Sequence, residues 1–372
     1  MNKKYAVVVK TGDAEFRALA NLTPELKNKI LPIVEITRGR KLQERGEAEK
    51  KANKESGKEL YPFEKRISLL KTVLNNCEIA LDLTSDIGLS NSEIEHLFLP
   101  DKGYENWVNF LVALKNENIF SKIIPCILLN VEDPDFNANL VSQVRGLKTH
   151  FKTLIYRNSL VDENCYEDLD VLKDELKGLE LHIMIDSGYV LPAAHRNFSE
   201  KIKARIANLR KQLPAETMYI VSSTSFPNSI SEIGDDYSDT FRLVEQEIFN
   251  EVYKDNPLNL IYSDYATVNP IRNDAVPMAR GWIPRIDVAL QNEIYYYRKR
   301  RPKGVTQYAN TYVAVASLVM SDKRFPIDLS DNWGVKEIQN CAKNKPSNTS
   351  PNFWISVRMN MHINQQIRRI YG

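Results

Sequence analysis

The sequence predicts an α/β fold, a (β/α)8 TIM-like barrel with a C-terminal β-hairpin plus helical extension. Three observations carry that reading. Eight short, apolar, β-rich runs return every 26 to 47 residues. Amphipathic helical stretches separate most of them, and strands alternating with helices argue for parallel pairing. Most runs end on a polar or charged residue, and the C-terminal strand ends are where such barrels build their sites. The 372 residues accommodate one barrel, which takes about 250 residues, and an appendage.

The first run, Tyr5 to Val9, leads into an amphipathic stretch with Phe16, Ala18, Leu19 and Leu22 as its apolar positions. Thr23-Pro24 reads as an N-cap with proline at the first helical position, opening a short helix through Leu26 and Ile30. Strand two is Leu31 to Ile36. The segment Thr37 to Leu60 breaks the pattern, being dense in Lys, Arg and Glu and almost free of large apolar residues. It cannot bury a core face and reads as a solvated insertion on the loop above the barrel mouth, a lid or a partner-binding arm. The remaining strands are Glu78 to Leu83, Ile123 to Leu129, Lys152 to Tyr156, Leu181 to Ile185, Thr217 to Val221 and Leu258 to Ser263. Helical spacing recurs at 61–73, 107–114, 141–147, 168–176, 199–213 and 237–253, the last through Phe241, Val244, Ile248 and Val252. After Pro270 the alternation ends. Segments 280–290 and 293–298 read as a hairpin around Gln291-Asn292, followed by helical stretches near 306–320, 333–343 and 353–370. The barrel is therefore assigned to 1–279, with the charged insertion at about 37–60, and the extension to 280–372.

Composition sets broad limits. Hydrophobic content of 43%, charged content of 26% and a net charge of +2 describe an ordinary globular chain with no global attraction to nucleic acid or membrane. The four cysteines, Cys77, Cys126, Cys165 and Cys341, form no CxxC pair and read as buried thiols of a reducing compartment. No stretch approaches the roughly 18 apolar residues of a membrane span, so a cytoplasmic protein with no membrane contact is expected.

The residues ending the runs are the candidate site. Lys10, Glu35, Asp82, Arg157, Asp186 and Asp264 converge on one mouth if the strand assignments hold. A one-residue error in register would turn a given side chain away. Carboxylates of Glu35, Asp82, Asp186 and Asp264 facing one cavity are candidates for catalysis. Asp82 and Asp186 are candidate ligands for Mg²⁺ or Mn²⁺, which prefer oxygen donors. Lys10 and Arg157 would then stabilise charge on a phosphoester, with Ser222 and Ser223 offering hydroxyls. The same charges also make sense as a salt-bridged network that only closes the barrel top.

Other chemistries find less support. The histidines at 96, 150, 182, 195 and 362 form no HxH or HExxH pair. The serine-rich SSTSFP lacks a GxSxG elbow. Glu132 and Asp133 follow strand four, but strand seven ends in serines, which weakens a glycosidase reading. Lys10 as a Schiff-base lysine lacks a glycine-rich phosphate loop. There is no GxGxxG and no GxxxxGK[ST]. The basic run RKRRPK, Arg298 to Lys303, follows three tyrosines, a combination that can stack on and neutralise nucleic acid or simply end a solvated hairpin.

Several blocks together resemble the beta-protein (beta family) group of bacteria and phages. The opening YAVVVKTGDAEFRALANLTPELKNKILPIVEI is similar to its N-terminal signature. IALDLT, IDSG, SSTSFP and YSDYATVNP resemble its later strand ends, and FWISVRMNMHINQQI its closing helix. The resemblance implies a barrel protein of mobile elements and anti-phage defence loci, often beside nuclease-like partners. It carries over Lys10, Glu35, Asp82, Arg157, Asp186, Asp264 and Tyr265, the last as a further ligand-binding position. Two functions stay open at this point. One is a metal-assisted phosphoester hydrolase working at the mouth. The other is a non-catalytic sensor or adaptor that recognises a ligand or phage component and docks a nuclease or other effector. The partners expected are an effector from the same locus and a phosphate-bearing or nucleic-acid ligand.

Overall fold

The computed structural model describes residues 3–39, 62–228, 237–271 and 281–372. The greater part of the charged insertion, 40–61, lies outside them. Parallel strands alternate with helices along the chain. β1 (Tyr5–Lys10) is followed by α1 (Asp13–Ala20) and α2 (Pro24–Lys29), and β2 (Ile30–Ile36) by α3 (Phe63–Val73). β3 (Glu78–Leu83) leads to α4 (Ser92–Phe98) and α5 (Asp101–Asn116), β4 (Lys122–Pro125) to α6 (Phe136–Lys148), and β5 (Thr153–Ser159) to α7 (Cys165–Leu172). β6 (Glu180–Tyr189) and α8 (His195–Leu209) precede β7 (Met218–Thr224). A shorter strand, β8 (Ser238–Arg242), then α9 (Glu245–Asp255), stands before β9 (Leu260–Asp264).

Eight of these strands form one sheet in the order β4-β3-β2-β1-β9-β7-β6-β5. Its two ends meet through a single parallel bridge, Cys126 to Ile155, beside which Ile127 N–H donates to the Ile155 carbonyl at 2.9 Å. The sheet is thus a nearly closed (β/α)8 barrel. β4 ends at Pro125 rather than continuing to Leu129. Beyond it the gap to β5 is spanned by the Cys126 bridge alone.

Local sequence explains several boundaries. Thr23 Oγ1 accepts from Leu26 N–H with Pro24 behind it, which starts α2 as its motif requires. Asn91 caps α4 in the same way. Along each strand alternate residues face opposite sides. Ala6, Val8, Leu31, Ile33, Ala80, Ile124, Ile155, Met184, Ile220 and Ile261 fill the barrel, so its interior is a packed core and not a channel. Tyr5, Val7, Val9, Val34, Ile183, Val221 and Tyr262 face the helices.

The expected helix over 237–253 is half strand. Residues 238–242 pair antiparallel with 293–297, and the helix begins only at Glu245. Phe241 packs at 5.3 Å on Phe226 and pairs with Ile294, partners too distant in sequence for a local pattern to reveal. β8 completes a three-stranded antiparallel sheet with the hairpin β10 (Arg285–Ala289) and β11 (Glu293–Arg298), which turns at Gln291-Asn292 as expected. Helices α10 (Ala309–Ser321), α11 (Trp333–Ala342) and α12 (Pro351–Tyr371) follow.

A second apolar cluster, including Ile286, Ile294, Tyr312, Val315, Ile338 and Trp354, holds this sheet to its helices. α12 belongs to both clusters, giving Met359, Ile363 and Ile367 to the barrel and Phe353, Val357 and Met361 to the extension. It runs the height of the barrel. Arg358 bonds the Thr267 carbonyl above, Asn360 the Ala18 carbonyl midway, and Tyr371 the Lys29 carbonyl and Lys4 N–H below. Among the described residues no helix is long and apolar enough to cross a membrane.

Candidate functional site

Strand register assembles the mouth. Lys10 sits beside Glu35, and Glu35 beside Asp82, on three neighbouring strands. All three share the inward parity of Val8, Ile33 and Ala80 below them. Arg157, two residues past inward-facing Ile155, reaches across to meet them. Its Nη1 donates to Asp82 Oδ2 at 2.8 Å and to Glu35 Oε2 at 3.3 Å. Its other edge donates to Asp186 Oδ2 through Nε at 3.0 Å and Nη2 at 2.8 Å. Nη2 also donates to Tyr265 Oη at 3.1 Å, and that hydroxyl donates to Asp186 Oδ2 at 2.5 Å. Lys10 Nζ lies 3.4 Å from Glu35 Oε1 and donates to the Pro270 carbonyl at 2.9 Å.

This is a guanidinium ringed by three carboxylates. The carboxylate side chains are 10–11% exposed and Arg157 is 19% exposed, so solvent screens them only partly. Burial opposes the charge on Arg157, yet Tyr265, Asp186, Asp82 and Glu35 together hold its pKa well above the ordinary value. Burial likewise opposes ionisation of Glu35, but Arg157 and Lys10 prevail and its pKa is lowered. For Asp82 burial wins, aided by the Glu35 charge, and its pKa is raised despite Arg157. Burial and neighbouring Asp186 push the Tyr265 hydroxyl well above its usual value, keeping it a donor.

The strand-end residues do not all arrive there. Asp264 was expected in the mouth and points the opposite way. Ile261 and Tyr265 face inward, so Tyr262 and Asp264 between them face the helices. There Asp264 accepts from Tyr5 Oη at 2.9 Å, Tyr262 Oη at 2.9 Å and Ala266 N–H at 2.8 Å, and His362 Nε2 of α12 lies 2.8 Å from its Oδ2. Burial opposes its charge, but His362 and these donors lower its pKa. Tyr265 takes the inward position. Ser222 faces inward and contacts Ser263 Oγ at 3.3 Å, while Ser223, of opposite parity, is turned outward. The mouth set is therefore Lys10, Glu35, Asp82, Arg157, Asp186 and Tyr265, with Ser222 on the same inner face.

Asp82 and Asp186, the expected Mg²⁺ or Mn²⁺ ligands, do not face one another. The Arg157 guanidinium stands between them and occupies Oδ2 of both. The second oxygens accept backbone N–H groups, Leu83 for Asp82 and Gly188 for Asp186, each at 2.9 Å. Among the described residues no three His, Cys, Asp or Glu side chains are grouped to hold a metal ion. In this arrangement the donor set does not fit such an ion.

The family model for Beta protein matches residues 5–368. The chain belongs to the Beta protein family. A relative, Protein beta of Enterobacteria phage P4, is 25% identical over 372 residues, covering 98% of this chain and 93% of its own length. The matched residues take in the barrel, the second sheet and most of α12 of this chain.

In this Beta-family chain two buried polar centres escape sequence reasoning. His362 reaches Asp264 from 98 residues away in sequence. Glu245 accepts from Ser225 N–H at 2.6 Å and Ser225 Oγ at 3.1 Å, and burial raises its pKa. The histidine in the closing-helix block was the one signal available for the first, and Glu245 at the start of an amphipathic run gave none for the second.

Proposed function

We propose that this Beta-family protein is a non-catalytic recognition subunit of a prokaryotic anti-phage defence or mobile-element system, docking an effector from the same locus. One observation carries the reading: the mouth's arginine is already committed to the protein's own groups. Arg157 donates to Asp82, Glu35, Asp186 and Tyr265 at 2.8–3.3 Å. Three carboxylates face two cations there, so the surplus charge is negative and repels a phosphoester. These points favour a mouth that holds the barrel in shape over one that turns a substrate over. The phage-encoded relative supports the mobile-element setting. On the rim, Ile87, Leu99 and Val131 are exposed around a groove of about 460 Å³, apolar surface of the kind a protein partner covers.

The test is phage plating efficiency on cells carrying the native locus, with wild type, a deletion, and the near-isosteric Glu35→Gln and Asp186→Asn. Melting temperature and protein level are measured in parallel. Variants that stay folded are expected to protect like wild type, and purified protein is expected to cleave no phosphoester with Mg²⁺ or Mn²⁺ present. A folded Asp186→Asn that protects no better than the deletion, together with metal-dependent turnover, would restore the hydrolase reading. A deletion without effect on any phage tested would remove the defence setting.

A further inference from the structure

We infer that the loop from the end of β11 into α10 binds a single strand of nucleic acid. The inference goes beyond the recognition role above and does not depend on the mouth. Between Glu293 and Asp322 the sequence contains no acidic residue, while Arg298, Lys299, Arg300, Arg301 and Lys303 fall together. Lys299, Arg300 and Lys303 are exposed and Arg301 is half-buried. Among the described residues no carboxylate pairs with Lys299, Arg300, Arg301 or Lys303. Elsewhere the described cations commonly find one, as in Lys71–Glu117, Arg145–Glu175 and Arg368–Asp328. Unspent positive charge on one loop suits a phosphate backbone.

The second half of the site is aromatic. Trp282 and Tyr308 stack face to face, centroids 4.0 Å apart and 8° from parallel. The Arg301 guanidinium lies 4.2 Å from the Tyr308 centroid. Trp282 and Arg301 cannot both be that close on one face, so Tyr308 is sandwiched between them. The stack is built in advance. Arg301 Nη1 donates to the Thr306 carbonyl, and Lys299 N–H donates to the Pro284 carbonyl at 3.0 Å. Gly281, at φ +71°, lets the backbone press close to Tyr308, where an added Cβ would clash with Oη. Trp282 and Tyr308 are half-buried. A preformed ladder of planar groups continues naturally into an unstacked base, on the outer face of Arg301 or of Trp282. Bases inside a duplex are already stacked on their neighbours, so the ladder favours a single strand.

The test uses the full chain and fluorescein-labelled oligo-dT and oligo-rU of about 20 nucleotides, followed by anisotropy at about 50 mM NaCl. Binding is expected to weaken with salt, with a log–log slope near −2 for about three phosphates neutralised at roughly −0.7 each. The triple variant Lys299→Ala, Arg300→Ala, Lys303→Ala should lose about tenfold or more in affinity and most of the slope. Arg301→Lys keeps the charge but removes the plane, and should lose about fivefold or more. Preference for dT or rU identifies the strand as DNA or RNA, and either supports the inference. It is overturned by no anisotropy change at about 200 µM protein in about 50 mM NaCl, above the roughly 1–100 µM expected of non-specific binding even at physiological salt. It is overturned equally if folded Arg301→Lys binds like wild type while a duplex competes as well as the single strand, or if polyglutamate displaces the strand with equal ease.

Discussion

Arg157 and Arg301 belong to one chain and are used in opposite ways. Arg157 donates to three carboxylates and a phenol within 3.3 Å, and its charge is consumed by the fold. Arg301 stacks on a tyrosine and bonds one carbonyl, and among the described residues no carboxylate neutralises it. A cluster of charged residues at strand ends looks like a site in sequence, and a basic run at a hairpin end looks like solvated surface. We propose the reverse for both. What separates the two is whether counter-charges reach the cation, and that depends on which strands are neighbours.

The sharpest way to break this comparison is to remove each arginine. Arg157→Met leaves three partly buried carboxylates facing one another and should cost about 3 kcal/mol in urea unfolding, as removing one partner of a buried network does. Arg301→Met should cost about 1 kcal/mol or less, in the range of surface changes. Equal losses would mean that the carboxylates around Arg157 do not need it in the fold.

Next in size is Asp264→Asn, which asks whether a carboxylate committed to the fold behaves alike away from the mouth. Loss of the charge opposite His362 should cost about 2 kcal/mol near pH 7. The folded pKa of Asp264 is lowered, so its stabilisation is full above the unfolded carboxylate value, about 3.9, and lost as pH falls through the lower folded value. The variant's acid-unfolding limb should be shallower in that window. Glu35 acts with the same sign, and Asp82, whose pKa is raised, with the opposite sign, its penalty easing as pH falls. An unchanged acid limb in Asp264→Asn would contradict the assignment.

Gly281→Ala should cost about 1 kcal/mol, through a left-handed φ and a clash with Tyr308, and should alter the fluorescence of Trp282. The smallest effect is expected for Lys303→Ala, within about 0.5 kcal/mol of wild type in unfolding. A larger loss would place Lys303 in the structural half of the comparison.

Much of the barrel is legible in the sequence because its signal is local. Each of the eight runs is apolar on both faces, and each is flanked by a segment of helical spacing. Five of the six mouth residues follow from taking the polar residue that ends a run. Asp264 fails that rule because LIYSD carries its run one residue beyond the inward position, and alternation hands the mouth to Tyr265. β8 fails because SDTFRLVEQEIF places apolar residues at spacings that suit a helix as well as a strand, and the deciding partner, β11, is about fifty residues on. The Asp264–His362 pair is invisible for a similar reason: its two halves are brought together only by the path of α12. Contacts set by neighbours in sequence can be read from it, and contacts set by topology cannot.

α12 has a consequence in time. It lies along α1, bonds β1's neighbour Lys4 at its lower end, and places His362 against β9, so it covers the seam between the first and last barrel strands. Yet the segment 265–350 intervenes between β9 and this helix. A ribosome would release all eight strands long before the stave that covers their join. Until α12 emerges, β1 and β9 can pair, but their outer face lacks this cover and the Asp264 carboxylate lacks His362. Completion of the barrel's outer layer is then a late event in synthesis rather than an early one.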